Sequence, residues 1–179
     1  TPKMFIHEYD LSVEQHPEDF LSEVTVKGVA LDSSAVFTFC LNPGLTIHSV
    51  HSAGQQLKFK RDKQIVLVDF GTKHAKGDTI SATFRYDGQI DNSFCYLDIP
   101  PEVLQASNKK FLFNIDKQYS FQTKNYLMLT PETYWYPRAG TSYSDKNPDW
   151  QQTYFSNYRL KVKPLPGLVP LSQGEGKCD

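Results

Sequence analysis

The sequence predicts an all-β fold, a curved antiparallel sheet or β-sandwich with one short helix. Strict alternation of apolar and polar residues over 79–86 predicts a half-buried strand, whose inward residues are Ile80, Ala82, Phe84 and Tyr86. Residues 154–163 repeat the pattern, with Tyr158, Leu160 and Val162 on one face. Turn-forming residues recur at short intervals through the first half, which is typical of a sandwich or a large antiparallel sheet.

Shorter apolar runs in the first half predict six further strands, at 9–13, 24–31, 35–41, 45–50, 56–60 and 65–70. Turn sequences separate several of them: Asp32-Ser33-Ser34, Asn42-Pro43-Gly44, Ala53-Gly54 and Lys76-Gly77-Asp78. The run 35–41 is apolar on both faces, which predicts a central strand covered on both sides. We expect the core to contain Phe37, Phe39, Ile47, Leu67, Phe84 and Leu160.

The remaining elements predict where this domain ends. Asp98 is placed to cap a short helix that runs from Pro100 to Ala106. The tail, residues 164–179, is rich in proline and glycine, and Val169 and Leu171 are expected to begin another strand. We therefore expect an N-terminal β-sandwich domain over 1–163, and a tail over 164–179 that leads to a missing downstream domain. The start at Thr1, without a leader, indicates either a cut or a processed terminus, and together with the tail it favours a piece truncated at both ends.

Composition excludes several classes of partner. Charged residues make up 22% of the chain and the formal net charge is −1, so no basic field favours nucleic acid. No apolar stretch approaches the roughly 18 residues of a spanning helix, which argues against direct membrane insertion. The three cysteines match no metal or redox spacing, and Cys40 is expected to be a small core residue.

No pattern in the sequence predicts catalysis, a metal or another cofactor. His-Glu-x-x-His is absent, and His48 and His51, three apart in a predicted strand, would point to opposite faces. The segment 145–156 resembles a calcium loop, but it has Trp150 where glycine is needed and Ser156 where glutamate is needed. We therefore predict that the chain itself is not an enzyme.

An aromatic cluster is the unusual local feature. Seven of the ten tyrosines and both tryptophans lie between 119 and 158, and they are densest at Tyr134-Trp135-Tyr136-Pro137. Such rings serve either as a stacking platform for sugars or as packing at the end of a sandwich. We favour packing, against the domain or a neighbour, and expect apolar exposure beside 164–179. Tyr134, Trp135 and Trp150 are the rings that a carbohydrate-binding module would use.

Several segments in order resemble the N-terminal domain of aminopeptidase N-type zinc peptidases, the gluzincins. They are LNPGLTIHSV at 41–50, GDTISATFRYDGQI at 77–90, LMLTPETYWYPRAG at 127–140 and YFSNYRLKVKPLPGLVPLSQGEG at 154–176. The Trp-Tyr-Pro form resembles bacterial versions in which this region is fused to an ABC-type transporter permease. The family's Gly-x-Met-Glu-Asn and His-Glu-x-x-His motifs belong to the following domain and are absent here.

The resemblance implies a non-catalytic domain that packs on a downstream catalytic domain and frames its substrate cleft. Its partner would be that catalytic domain, or a membrane domain, of the same parent chain, and its ligand a peptide. Glu132 lies in the region from which family members grip a substrate's free amine, so Glu132, Tyr134 and Trp135 are the candidate groove or interface residues. The parent protein would be extracytoplasmic or membrane-associated. An interaction domain of a transporter assembly and a carbohydrate-binding module remain alternatives.

Overall fold

A computed structural model describes residues 2–93, 119–141 and 155–177 of the chain. In chain order its strands are β1 (Met4–Gln15), β2 (Phe20–Ala30), β3 (Ser34–Cys40), β4 (Leu45–Ser52), β5 (Gln55–Gln56), β6 (Lys58–Asp62), β7 (Ile65–His74), β8 (Thr79–Gly88), β9 (Ser120–Thr123), β10 (Tyr126–Leu129), β11 (Arg138–Ala139) and β12 (Asn157–Lys163). The predicted all-β fold is confirmed, and each of the eight strands predicted within 9–86 and 154–163 has a counterpart. The predicted helix at 100–106 lies outside the described residues.

Two sheets enclose the core. A six-stranded sheet has the order β12-β1-β2-β8-β4-β5, and a four-stranded sheet has the order β11-β3-β7-β6. Neighbouring strands pair antiparallel, except that β12 runs parallel to β1. The strands β9 and β10 form a separate hairpin.

The inward residues of the two sheets meet in one apolar cluster. On β8 the predicted face is buried as expected, at Ile80, Ala82, Phe84 and Tyr86. Phe84 contacts Phe39 of β3 edge-on, with ring centroids 5.0 Å apart, which joins the two sheets. Edge-to-face contacts of this kind add to the stabilisation from area burial. Phe37, Phe39 and Cys40 are buried, as predicted.

Leu67 corrects the predicted core. Its side chain is 40% exposed, because β7 turns Val66 and Val68 inward and leaves the residue between them on the outer face. Val36, at the start of β3, is 39% exposed on the same outer face, so β3 is central in its sheet but is not covered on both sides along its length. Ile47 and Leu160 are half-buried at the margin of the core.

The tail does not form the strand expected at Val169 and Leu171. Residues 164–177 carry no strand, and a backbone hydrogen bond from Leu168 to Leu165 closes a turn there. Both Val169 and Leu171 are exposed. Proline at several positions removes the backbone N–H groups that a ladder needs, which accounts for the irregular path. Among the described residues, no helix is long and apolar enough to cross a bilayer.

Candidate binding groove

The parallel edge of the large sheet forms one wall of an apolar groove. In the register of β1 and β12, Tyr9 lies beside Tyr158, Leu11 beside Leu160 and Val13 beside Val162, so apolar residues occupy one face of both strands. Leu11 and Val13 are buried under the second sheet. Tyr158 is 45% exposed, because the four-stranded sheet does not extend over the edge strand. The inner face of β12 is therefore incompletely covered.

The opposite wall is the segment 129–141, which contains much of the aromatic cluster. After β10, Pro131 opens a single 3-10 turn over Pro131–Thr133, and Tyr134 ends it in the left-handed conformation with φ of 52°. A non-glycine residue in that region carries backbone strain, so surrounding contacts must hold it. β11 then follows and pairs with β3 through Arg138 and Ala139.

Asn42 holds this turn against the body of the domain. Its side chain is fully buried and donates from Nδ2 to the carbonyl of Thr133 at 2.8 Å and to that of Asp91 at 3.1 Å. Its Oδ1 accepts from the backbone N–H of Gly44 and Asp91, at 2.9 and 2.8 Å. The backbone N–H of Asn42 donates to the carbonyl of Tyr134 at 2.9 Å. One buried amide therefore joins three loops, and it fixes the strained turn.

Three tyrosines complete the wall, of which Tyr86 is fully buried and Tyr9 and Tyr136 are half-buried. The hydroxyl of Tyr86 donates to the carbonyl of Trp135 at 2.7 Å. Tyr136 packs edge-on against both Tyr9 and Trp135, with ring centroids 5.2 and 5.0 Å apart. Burial raises the pKa of Tyr9, Tyr86 and Tyr136 above the ordinary value of 10. These phenols stay neutral at physiological pH, and the Arg138 guanidinium adds a charged group to the lining of the groove.

The space between the walls is a groove of about 930 Å³, bounded at one end by the tail. Exposed apolar side chains at its rim are Phe155, which is 97% exposed, and Leu171, which is 93% exposed. The expected apolar exposure beside 164–179 is therefore present. Exposed apolar patches rimmed by polar residues mark sites of contact with another molecule or domain.

The candidate residues predicted from the sequence lie around this groove in different ways. Trp135 lines it but is only 8% exposed, and Tyr134 lines it with the Arg138 guanidinium 5.3 Å from its ring centre. Glu132 is exposed in the first turn of the 3-10 segment. A sugar stacks on an open ring face. Trp135 has no open ring face, and the Arg138 guanidinium lies over one face of Tyr134. Trp150 lies outside the described residues.

Acidic and histidine side chains are spread over the sheets rather than gathered at the groove. Within 2–93, 119–141 and 155–177, no three His, Cys, Asp or Glu side chains are close enough to hold a metal ion. His48 instead contacts Asp87, with Nε2 and Oδ2 2.9 Å apart on the solvent face. The segment resembling a calcium loop lies almost wholly outside the described residues.

Sequence reasoning missed Asn42, Tyr9 and Phe155 as parts of this region. The sequence predicts Asn42 only as a turn residue, because its burial and its contacts with distant loops are visible only in the structure. Tyr9 and Phe155 carried no local signal, because they reach the groove only through the parallel pairing of β1 with β12, which joins the two ends of the chain.

Neither a protein-family model nor a curated protein sequence matches the chain. Solved structures of M1 zinc metallopeptidases are similar to it. The enzyme from Deinococcus radiodurans has a TM-score of 0.48 and 20% identity, over 51% of this chain and 22% of that one. A mutant of the D. radiodurans enzyme bound to a Tyr-Ser-Ala substrate has a TM-score of 0.47 and 18% identity, over 50% and 21%. A two-domain M1 mutant bound to L-tryptophan has 0.48 and 20%, over 52% and 22%. The chain spans about a fifth of the length of these structures.

Proposed function

We propose that this chain is a non-catalytic β-domain that packs its groove face against a neighbouring catalytic domain of a peptidase-like parent protein and frames the substrate cleft there. The exposed apolar groove carries the proposal. Phe155, Leu171 and Tyr158 leave a wide apolar surface in contact with water, beside the tail that would lead to the neighbour. Covering that surface recovers roughly 25 cal/mol for each Å² of apolar area removed from water.

The rigidity of the opposite wall, the segment 129–141, supports the role of framing a substrate cleft. A frame for a cleft must hold its shape, and the clamp from Asn42 together with the Tyr86–Trp135 hydrogen bond fixes the segment 129–141. Glu132 projects from that segment and is exposed. In the framing role, its carboxylate grips the free amine of a peptide that enters the neighbour's site. A dry cleft would strengthen that charge interaction.

Zinc content and hydrolysis of aminoacyl reporters test the proposal. The purified chain should hold no stoichiometric zinc and should not hydrolyse the reporters. A longer parent protein that includes the downstream sequence should hold zinc and hydrolyse them. In the longer protein, Glu132→Gln should raise KM about tenfold for substrates with a free amine, the loss of one charge-assisted contact. The matched control Glu175→Gln, also at an exposed glutamate, should leave KM unchanged.

Three other outcomes of these measurements would each change a different part of the proposal. One tightly bound zinc per isolated chain would refute the non-catalytic role. Membrane spans without a zinc site in the longer protein would favour the alternative, an interaction domain of an ABC-type transporter assembly. Equal KM values for the two glutamine variants would remove Glu132 from the site while leaving the packing role in place.

A further inference from the structure

The strand β12 ends the six-stranded sheet in the part of the chain that the structure describes. There, β1 is the only strand that pairs with it. In a strand, alternate residues direct their N–H and C=O groups to opposite sides, so part of the seven-residue strand presents unpaired backbone groups outward. Such an edge is a template for one more strand.

The tail contacts the strands β1 and β12 through hydrogen bonds that involve their side chains. It meets β12 through the Tyr158 hydroxyl, which donates to the carbonyl of Gln173, and it meets β1 through Leu165, whose N–H donates to Gln15 Oε1 at 3.4 Å. No backbone hydrogen bond joins the described tail residues, 164–177, to β12. No described tail residue therefore pairs with the backbone from Arg159 to Lys163.

The two faces of β12 specify what a further strand must carry. Its inner face, at Tyr158, Leu160 and Val162, is apolar and only partly covered. On the outer face are Arg159, Lys161 and Lys163, all exposed. An added strand would therefore continue the apolar layer over the groove on one side and meet three cations on the other.

Charge selects between occupants of this edge. On the β1 side, Arg159 pairs with Asp10 at 3.1 Å and Lys163 with Glu14 at 2.7 Å, while Lys161 faces Ser12. A carboxylate opposite each cation on the free side would extend this cross-strand ladder, and opposite charges across a strand pair are stabilising. A second copy of β12 would bring cations against cations, which disfavours self-pairing.

We propose that β12 accepts an extended segment of the neighbouring domain as an added strand, one that alternates apolar residues with Asp or Glu. The inference rests on the proposed function, which supplies the neighbouring domain as the source of the strand. It adds the residue pattern that this strand must have. Its apolar residues lie over Tyr158 and Leu160, and its carboxylates face Lys161 and the flanking cations. Backbone hydrogen bonds supply affinity, and the charge pattern supplies register and specificity.

A synthetic peptide tests the proposal on the purified chain. The probe is a seven-residue peptide of alternating valine and glutamate, labelled for fluorescence anisotropy. Two control peptides accompany it, one with lysine in place of glutamate and one with alternate backbone nitrogens methylated on the edge that would pair. Saturable binding of the probe alone supports strand addition, because methylation removes the N–H donors without removing side chains.

Matched charge reversals locate the binding edge. Lys161→Glu should weaken the probe's binding about three- to tenfold, since it replaces an attraction by a repulsion across the strand pair. Lys73→Glu, the same charge change at an exposed position of β7 in the other sheet, should leave binding unchanged. Lys161 has no ion pair among the described residues, so its reversal should not disturb the β1 ladder.

Three results would overturn strand addition. They are no saturable binding, equal binding of the methylated peptide, and equal effects of the two charge reversals. Equal binding of the methylated peptide would show recognition by side chains in the groove, which leaves the packing role intact. Failure of the packing role would instead appear as an uncovered groove in the longer protein, so the two failures are distinguishable.

Discussion

Phe84 and Phe39 connect the two sheets at the scale of single residues. Both side chains are buried and their rings meet edge-on, so each ring is held by residues of the opposite sheet as well as its own. Leu67 is similar to Phe84 in hydrophobicity but has a large part of its surface in water. Truncation at Phe84 compared with truncation at Leu67 therefore separates the contribution of burial to stability from that of residue type.

Phe84→Ala should lower the free energy of unfolding by about 3–5 kcal/mol, because it opens a cavity between the sheets. The matched truncation Leu67→Ala should cost less than about 1 kcal/mol, since the outer face loses little buried area. Urea unfolding of the purified variants measures both. Equal losses would show that the facing of β7 or β8 is wrong.

The position of Phe84 followed from the sequence, and the role of Asn42 did not. Alternation over 79–86 fixes which side chains share a face, because a strand has a period of two. Asn42 bonds to Asp91 and Thr133, which are 49 and 91 positions away, and no local pattern encodes such contacts. The same limit applies to Leu67, since in the apolar run 65–68 periodicity does not distinguish the inward face from the outward one.

At the scale of elements, β12 is stabilised by side chains on both of its faces. The inner face packs on Leu11 and Val13 of β1, and the outer face pairs its cations with acids of β1. The sequence predicted this strand and its apolar face, because the alternation is strict. It did not predict the parallel partner, since β1 is about 150 residues away and pairing over that distance leaves no trace in a local window.

The carboxyl group of Glu14 reports on the pairing of β1 with β12. A hydrogen bond from Lys163 lowers its pKa below the ordinary value of 4.5. A lowered folded-state pKa contributes stability that is present above the unfolded-state value, and this contribution is lost as the pH falls through the folded-state value. The pair lies at the surface, where solvent screens the charges, so the contribution to stability is small.

An NMR titration of the Glu14 carboxyl group measures this interaction directly. We expect its pKa to be lower in the unmodified chain than in Lys163→Met, which keeps an apolar stem but removes the ammonium group. Lys73→Met, in the other sheet, serves as the control and should leave the value unchanged. An identical pKa with and without Lys163 would mean that the strands do not pair in this register.

At the scale of the whole molecule, the described residues form a well-packed interior between two sheets and leave the edge at β12 incompletely covered. The four-stranded sheet covers β1 and β8 but not the inner face of β12, and the tail leaves Phe155 and Leu171 exposed. The sequence predicted exposure on this side, because the tail was expected to lead to a missing neighbour whose absence uncovers the surface that it would cover. It could not predict the groove, whose two walls come from opposite ends of the chain and from a loop held by Asn42.

Hydrogen exchange tests most directly whether this groove is an interface. The isolated chain and a longer parent protein should be compared by mass spectrometry of peptides over 129–141 and 155–173, with β6 and β7 at 58–74 as the internal control. We expect the first two segments to become protected in the longer protein, while the control exchanges alike in both. Equal exchange of 155–173 in the two proteins would contradict the claim that a neighbouring domain covers the groove.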